Sequence, residues 1–405
     1  MKKFFVAIIA MAMVAALAAC GDGGTGGTAT SGSGGAVRLV VWESTGGPDE
    51  WIQQAGARFT EQNPNITIEW VHVELGDATS QIMLDGPAGV GPDLFAAPHD
   101  RLGDLVYGQH VVQVNAAHIA HLAGGTRRAV NMNGNYWGYP VSDETYGLFY
   151  NRALVQNPPR TWDDMIAFSR EFNAANPGRY GFVMDVGNAY YTILFTSSNA
   201  NMLFGPDGTD TTDTRINSAD SVRGMQLFHS LREVLPIPSS DLDTGTVDAL
   251  FQGGHAAMHI TGPWNFAPFR DAGIDFGVTS LPSLPGNTTP AMSFSGARAM
   301  FISSFSEHPE EAALFAQFLV TEEMQRLRYD ITGALPAMEM ALGGEFGDLA
   351  SGMLQQMPYA YPMPSIPQMG AYWDAMNSAS ANIWDGDGTN IQVELDAANA
   401  AILSN

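Results

Sequence analysis

A stretch of Gly, Ser and Thr ending at Gly35 gives way abruptly to Val37-Arg38-Leu39-Val40-Val41-Trp42, a β-favouring apolar run closed by the turn signal Gly46-Gly47-Pro48. Trp51, Ile52, Ala55 and Phe59 then recur at helical spacing up to Asn63-Pro64, and Ile66, Ile68 and Trp70 alternate as in a half-buried strand. The spacing predicts a β-α-β start. Thr161-x-x-Asp164 predicts a capped helix that stops at Asn176-Pro177-Gly178. Residues 309–328 predict a single helix with Phe315, Phe318 and Leu319 on its apolar face. Strands are predicted over residues 94–97, 147–150, 256–260 and 276–278. Strands alternating with helices imply an α/β architecture with largely parallel sheets.

The chain of 405 residues is 45% hydrophobic, long enough to exceed one core, so two lobes are the default expectation. Its formal net charge of -24 argues against nucleic acid as a partner. Only Lys2 and Lys3 are lysines, and they open a basic segment followed by an apolar run over residues 4–16, too short to span a bilayer comfortably. The reading is a secretory signal over residues 1–19. It ends in Leu17-Ala18-Ala19-Cys20, which looks like a bacterial lipobox, and Cys20 is the only cysteine. That excludes a disulfide within the chain and makes Cys20 the expected lipidation site. Residues 20–35 are predicted to be a lipid-anchored flexible tether with a reach of ~20 Å.

Two loops, Gly205-Pro206-Asp207-Gly208-Thr209-Asp210 and Asp385-Gly386-Asp387-Gly388-Thr389-Asn390, have faint calcium-loop character but lack the distal Glu of an EF-hand. They read as turns. No metal site and no cofactor are expected.

Six segments, in order, carry a resemblance: Leu39-Val40-Val41-Trp42; Gly91-Pro92-Asp93-Leu94-Phe95 running into His99-Asp100-Arg101-Leu102-Gly103; Tyr139-Pro140 with Glu144 and Leu148-Phe149-Tyr150-Asn151; Asn157-Pro158-Pro159-Arg160-Thr161-Trp162; Phe251-Gln252-Gly253-Gly254-His255-Ala256-Ala257-Met258 with Gly262-Pro263-Trp264; and Ile366-Pro367-Gln368-Met369 with Tyr372-Trp373. Together they resemble the maltose/maltodextrin-binding proteins of ABC importers. The Gly-Pro-Asp, Tyr-Asn and Gly-Pro-Trp pieces are shared with the wider family of carbohydrate receptors. The His-Asp-Arg and Ile-Pro-Gln-Met pieces are more selective for the maltodextrin branch.

The resemblance implies a two-lobed periplasmic-binding-protein fold, each lobe a mostly parallel sheet flanked by helices, with hinge crossovers near residues 141–143, 295–298 and 342–345. The N-lobe is expected over residues 36–142 and 299–343, the C-lobe over 143–298 and 344–405. It further implies a monomeric receptor that binds an oligosaccharide in the cleft and hands it to the membrane-spanning subunits of an ABC importer. A sugar presents flat C–H faces and a rim of hydroxyls. On this resemblance Trp264, Trp373 and Tyr190 would stack on pyranose rings, while Asp100, Arg101 and Glu144 would hold hydroxyls in charged hydrogen bonds. Trp42 and Met363 match cleft-wall positions, and Asn188 stands where a carboxylate is common.

The chain also departs from the family pattern. Glu43-Ser44-Thr45-Gly46-Gly47 lacks the Asp-Lys that commonly follows Trp42, Ala97 replaces an aromatic, Phe266 replaces a second Trp, and Asp374 and Asn377 stand where an aromatic and an Arg are often found. An α-glucan is favoured and its length is open. Receptors for trehalose, sucrose or galacto-oligosaccharides remain alternatives. A glycosidase built on Asp100, Asp143 and Glu144 is disfavoured, because adjacent residues of an extended segment point apart. A metal receptor using Tyr190-Tyr191 is the remaining alternative.

Overall fold

The computed structural model describes residues 35–404 apart from positions 199 and 207. The predicted signal peptide, Cys20 and all of the predicted tether except residue 35 lie outside the described residues. Among the described residues, no helix is long and apolar enough to cross a membrane.

The predicted β-α-β start is present as strand Val37–Glu43, helix Pro48–Gln62 and strand Ile66–His72. Pro48 opens the helix at a position where a backbone N–H has no intrahelical partner. Its buried face is Trp51, Ile52, Ala55, Gly56 and Phe59. The two strands pair in parallel, and Val37–Glu43 pairs in parallel with Leu94–Pro98 on its other side. The long strand Ser293–Ile302 then runs antiparallel to Leu94–Pro98 and to Tyr139–Glu144, while its first residues pair in parallel with Ala360–Pro362.

Two hydrophobic cores result. The first gathers residues from Leu39 to Val141 and from Ala299 to Ala337. The second gathers residues from Tyr146 to Phe294, then Tyr329, Leu335 and the chain from Phe346 to Ile402. Strands Tyr139–Glu144 and Ser293–Ile302 connect them, and Asp143 N–H donates to the Leu335 carbonyl at 2.9 Å beside these crossings.

Two expectations differ from what forms. The sheet of the second lobe is antiparallel: Gly147–Asn151 lies between Met258–Thr261 and Phe276–Thr279 and runs opposite to both. Its direction is set by the crossing from the first lobe. Its two neighbours are joined through helix Phe266–Asp271 and so run alike. The single helix expected over residues 309–328 is two, Pro309–Leu319 and Glu322–Thr332. Thr321 divides them by accepting the Met324 N–H as an N-cap at 3.4 Å. The helix start at Thr161 forms as predicted, with Thr161 Oγ1 accepting the Asp164 N–H at 3.1 Å.

Candidate functional site

A cavity of about 390 Å³ opens between the two cores, and its lining comes from both. From the first lobe come Asp100 and Arg101, in the single turn His99–Arg101 that caps strand Leu94–Pro98. From the crossing strands come Glu144 and Arg298. The second lobe supplies Asn188, Tyr190, Trp264, Met363 and Trp373. Eight of the nine residues singled out for sugar binding therefore share one cavity. Trp42 does not. Neighbouring residues of a strand face opposite sides, and it is Glu43 that reaches Arg298. Trp42 is 3% exposed in the first core, edge-on to Phe95 at 6.5 Å between ring centres.

The rings stand on rigid supports. Trp264 follows Gly262-Pro263, and a Cβ at position 262 would lie 2.2 Å from the indole, so only glycine lets the ring fold over the backbone there. Tyr190 lies 6.1 Å from Trp264 and 5.0 Å from Tyr146, centre to centre. Burial and the Glu144 charge push its hydroxyl pKa well above the ordinary value, which leaves it a donor throughout the physiological range. Its neighbour Tyr191 packs inward, edge-on to Tyr146 at 5.2 Å. Trp373, on helix Gln368–Asp385, is held edge-on by Phe294 at 5.9 Å and Tyr372 at 5.1 Å.

Trp373 also joins the lobes, because its indole N–H donates to Asp100 Oδ2 at 3.0 Å. Beside it His99, 1% exposed, accepts the Ala297 N–H on Nδ1 at 3.1 Å, which leaves Nε2 to donate to the Met363 carbonyl at 3.1 Å. Burial lowers the His99 pKa, opposed by Asp100, the Met363 carbonyl and Glu144. Arg101 is only loosely engaged, 3.5 Å from Asp104 Oδ2. Burial raises the Asp104 pKa against that Arg101 charge.

Glu144 accepts from Ser142 Oγ at 2.6 Å and has Arg328 Nη2 at 3.8 Å. Arg328 is 2% exposed and lies over the Trp51 ring at 5.4 Å. Burial and the nearby Arg298 charge bring its pKa down to about 10. Asp143, next to Glu144, has its pKa raised to about 6, first by burial and then by Glu144.

Asn188 caps helix Ala189–Thr196, with Oδ1 accepting the Tyr190 N–H at 3.0 Å. Asn377 accepts the next free N–H of that helix, from Ala189, at 2.8 Å. Ala97 is wholly buried in its strand. Position 97 therefore adds no ring to the cavity.

Sequence reasoning missed Leu75, Gly76, Pro98, Gly296, Ala297 and Arg298 in this lining. Arg298 carried a signal: it is the only charged residue in an otherwise apolar and small-residue strand, SFSGARAMFI. Leu75 and Gly76 lie in the loop after strand Ile66–His72 and carried none. A larger groove of about 650 Å³ runs between helices Gln368–Asp385 and Ile391–Leu403. It is confined to one lobe and lined mainly by alanine, without an aromatic platform, so it lacks the chemistry a glycan needs. Among the described residues no group of His, Cys, Asp and Glu is arranged to hold a metal.

Residues 42–326 match the model of the bacterial extracellular solute-binding protein family. A maltooligosaccharide ABC transporter solute-binding lipoprotein of Streptococcus pneumoniae is 30% identical over 85% of this chain and 83% of its own. A galactooligosaccharide-binding protein of Bacillus subtilis is 28% identical, over 90% and 88%. Among solved structures, a Thermus thermophilus maltotriose-binding protein with bound maltotriose superposes with a TM-score of 0.83 at 26% identity, over 90% of this chain and 99% of its own.

Proposed function

From a chain that belongs to the bacterial extracellular solute-binding protein family, we propose a receptor for maltodextrin-type α-glucans that delivers its ligand to an ABC importer. The observation that carries this reading is the interlobe cavity of about 390 Å³, which combines three aromatic rings with Asp100, Arg101 and Glu144. Rings supply stacking surface for pyranose faces. Ionised groups supply hydrogen bonds to hydroxyls stronger than neutral ones. The sugar-binding set is Asp100, Arg101, Glu144, Asn188, Tyr190, Trp264, Met363 and Trp373. Trp42 is left out, since its ring is spent in the first core.

The N-lobe is taken as residues 36–142 and 299–343, the C-lobe as 143–298 and 344–405. Cys20 carries the lipid anchor of a monomeric receptor, and residues 20–35 tether it outside the membrane. The cavity binds and does not cleave, as in the solute-binding family to which the chain belongs. Two of the eight tryptophans line the cavity, so intrinsic fluorescence reports occupancy. Titration with maltotriose gives a saturable change, and the trisaccharide is recovered intact after prolonged incubation. A flat titration removes the α-glucan reading, and release of glucose or maltose removes the receptor reading. A galacto-oligosaccharide that alone saturates the signal replaces the ligand and keeps the receptor.

A further inference from the structure

Arg298 lies on the crossing strand Ser293–Ile302 and lines the cavity while only 7% exposed. Its guanidinium is clamped along one edge. Nε donates to Glu43 Oε2 at 3.2 Å, and Nη2 donates to Glu43 Oε1 and to Ser44 Oγ. Glu43 is wholly buried and itself fixed, since its Oε1 accepts the Ser44 N–H at 2.8 Å and its carbonyl accepts the Trp70 indole N–H at 3.0 Å. In this side-on arrangement the third nitrogen, Nη1, projects away from the carboxylate.

Arg298 Nη1 has no partner among the described residues. Nor is it one of the sealed, unpartnered atoms, which do include Nε and Nη1 of Arg328. It is therefore accessible, and because Arg298 is otherwise buried and lines the cavity, that access is from the cavity. A group bound in the cavity can take the place of solvent on it. Glu43 already neutralises Arg298, and of the other charges in the lining Asp100 and Glu144 outnumber Arg101, so a neutral hydroxyl suits Nη1 better than an anion.

We propose that Arg298 is a sugar-binding residue whose Nη1 donates to a hydroxyl of a neutral glycan, with Glu43 and Ser44 as the positioning residues that hold its guanidinium plane. The inference rests on the receptor reading above. It extends the site from Glu144 on one crossing strand to the other, so that both crossing strands touch ligand. It also assigns a ligand-binding use to a buried ion pair that otherwise contributes little to stability.

Calorimetric titration of the full protein with maltotriose, galactotriose, trehalose and sucrose selects the tightest glycan as probe. The probe is then titrated into Glu43→Met/Arg298→Met, which removes both charges and leaves neither buried alone, and into Arg298→Lys, which can still meet Glu43 but has no third nitrogen. The expected result is a loss of about 10–100-fold in affinity, the scale of one charged hydrogen bond, with a ligand-free melting temperature near that of the parent. If the double variant does not fold, Arg298→Lys decides. Affinity within about threefold of the parent in either folded variant overturns the inference and leaves Arg298 a structural ion pair, the scale again being set by one hydrogen bond. A parent that binds none of the four glycans fails the receptor reading instead, and the inference falls with it.

Discussion

Trp264→Ala tests how much of the binding free energy comes from stacking. The indole is half-buried, and its near edge is fixed by the backbone at Gly262 and by Tyr190 at 6.1 Å, which leaves its outer face for a pyranose ring. A ring covering ~100 Å² of apolar surface contributes ~2.5 kcal/mol at ~25 cal/mol per Å². Removing it should weaken maltotriose binding ~70-fold. Trp264→Phe keeps a smaller platform and should lose only about 5-fold, the residue of the same area argument. Because the side chain is not part of either sealed core, the ligand-free melting temperature should fall by a few degrees at most. Isothermal calorimetry with maltotriose, beside a ligand-free thermal melt, separates the two effects. Binding by folded Trp264→Ala within about threefold of the parent refutes the stacking argument, since that is well under the scale of one covered ring.

Asp143, with its pKa raised to about 6 by burial and Glu144, binds a proton more readily folded than unfolded, so it opposes stability increasingly as pH rises from about 4 through about 6. Asp143→Asn should therefore raise the melting temperature at pH 7 and change it little at pH 4; equal shifts at both would contradict the assignment. Cys20→Ala should release the protein from the detergent phase, and unchanged partitioning would count against the anchor. Saturating maltotriose should lower the radius of gyration by small-angle scattering, because Asp100 and Arg101 stand on one lobe and Tyr190 and Trp264 on the other; superimposable curves with and without ligand would exclude closure.

What the sequence disclosed follows from how local each signal is. The helix at Thr161 was legible because one side chain and one N–H three residues on define it. The division at Thr321 was not, since Val320 and Met324, four residues apart and both buried, keep the apolar period running across the break. The antiparallel sheet around Gly147–Asn151 depends on which lobe the chain has just left, and an apolar run carries no record of direction. The rings and charges of the cavity were found through motifs shared with related receptors. Trp42 shared the motif but not the position, because a strand turns alternate residues to opposite sides. Arg298 lay outside every motif, and its use depends on Glu43, 255 positions away in sequence.

On the proposed function, the interlobe cavity receives an α-glucan. The most direct test is a calorimetric series with maltose, maltotriose and maltotetraose, run beside galactotriose. Ala97 lies wholly buried, and Glu43, at the end of its strand, and Ser44 are engaged with Arg298 at the positions where the family pattern commonly has Asp-Lys, so one end of the site offers a disaccharide little. Two missing charged hydrogen bonds would cost it ~3–6 kcal/mol, whereas a longer chain spreads over Tyr190, Trp264 and Trp373. Maltotriose or maltotetraose is expected to bind more tightly than maltose, and galactotriose to bind weakly. Maltose binding at least as tightly as both longer chains would contradict the stripped end, and galactotriose binding where no α-glucan does would contradict an α-glucan ligand itself.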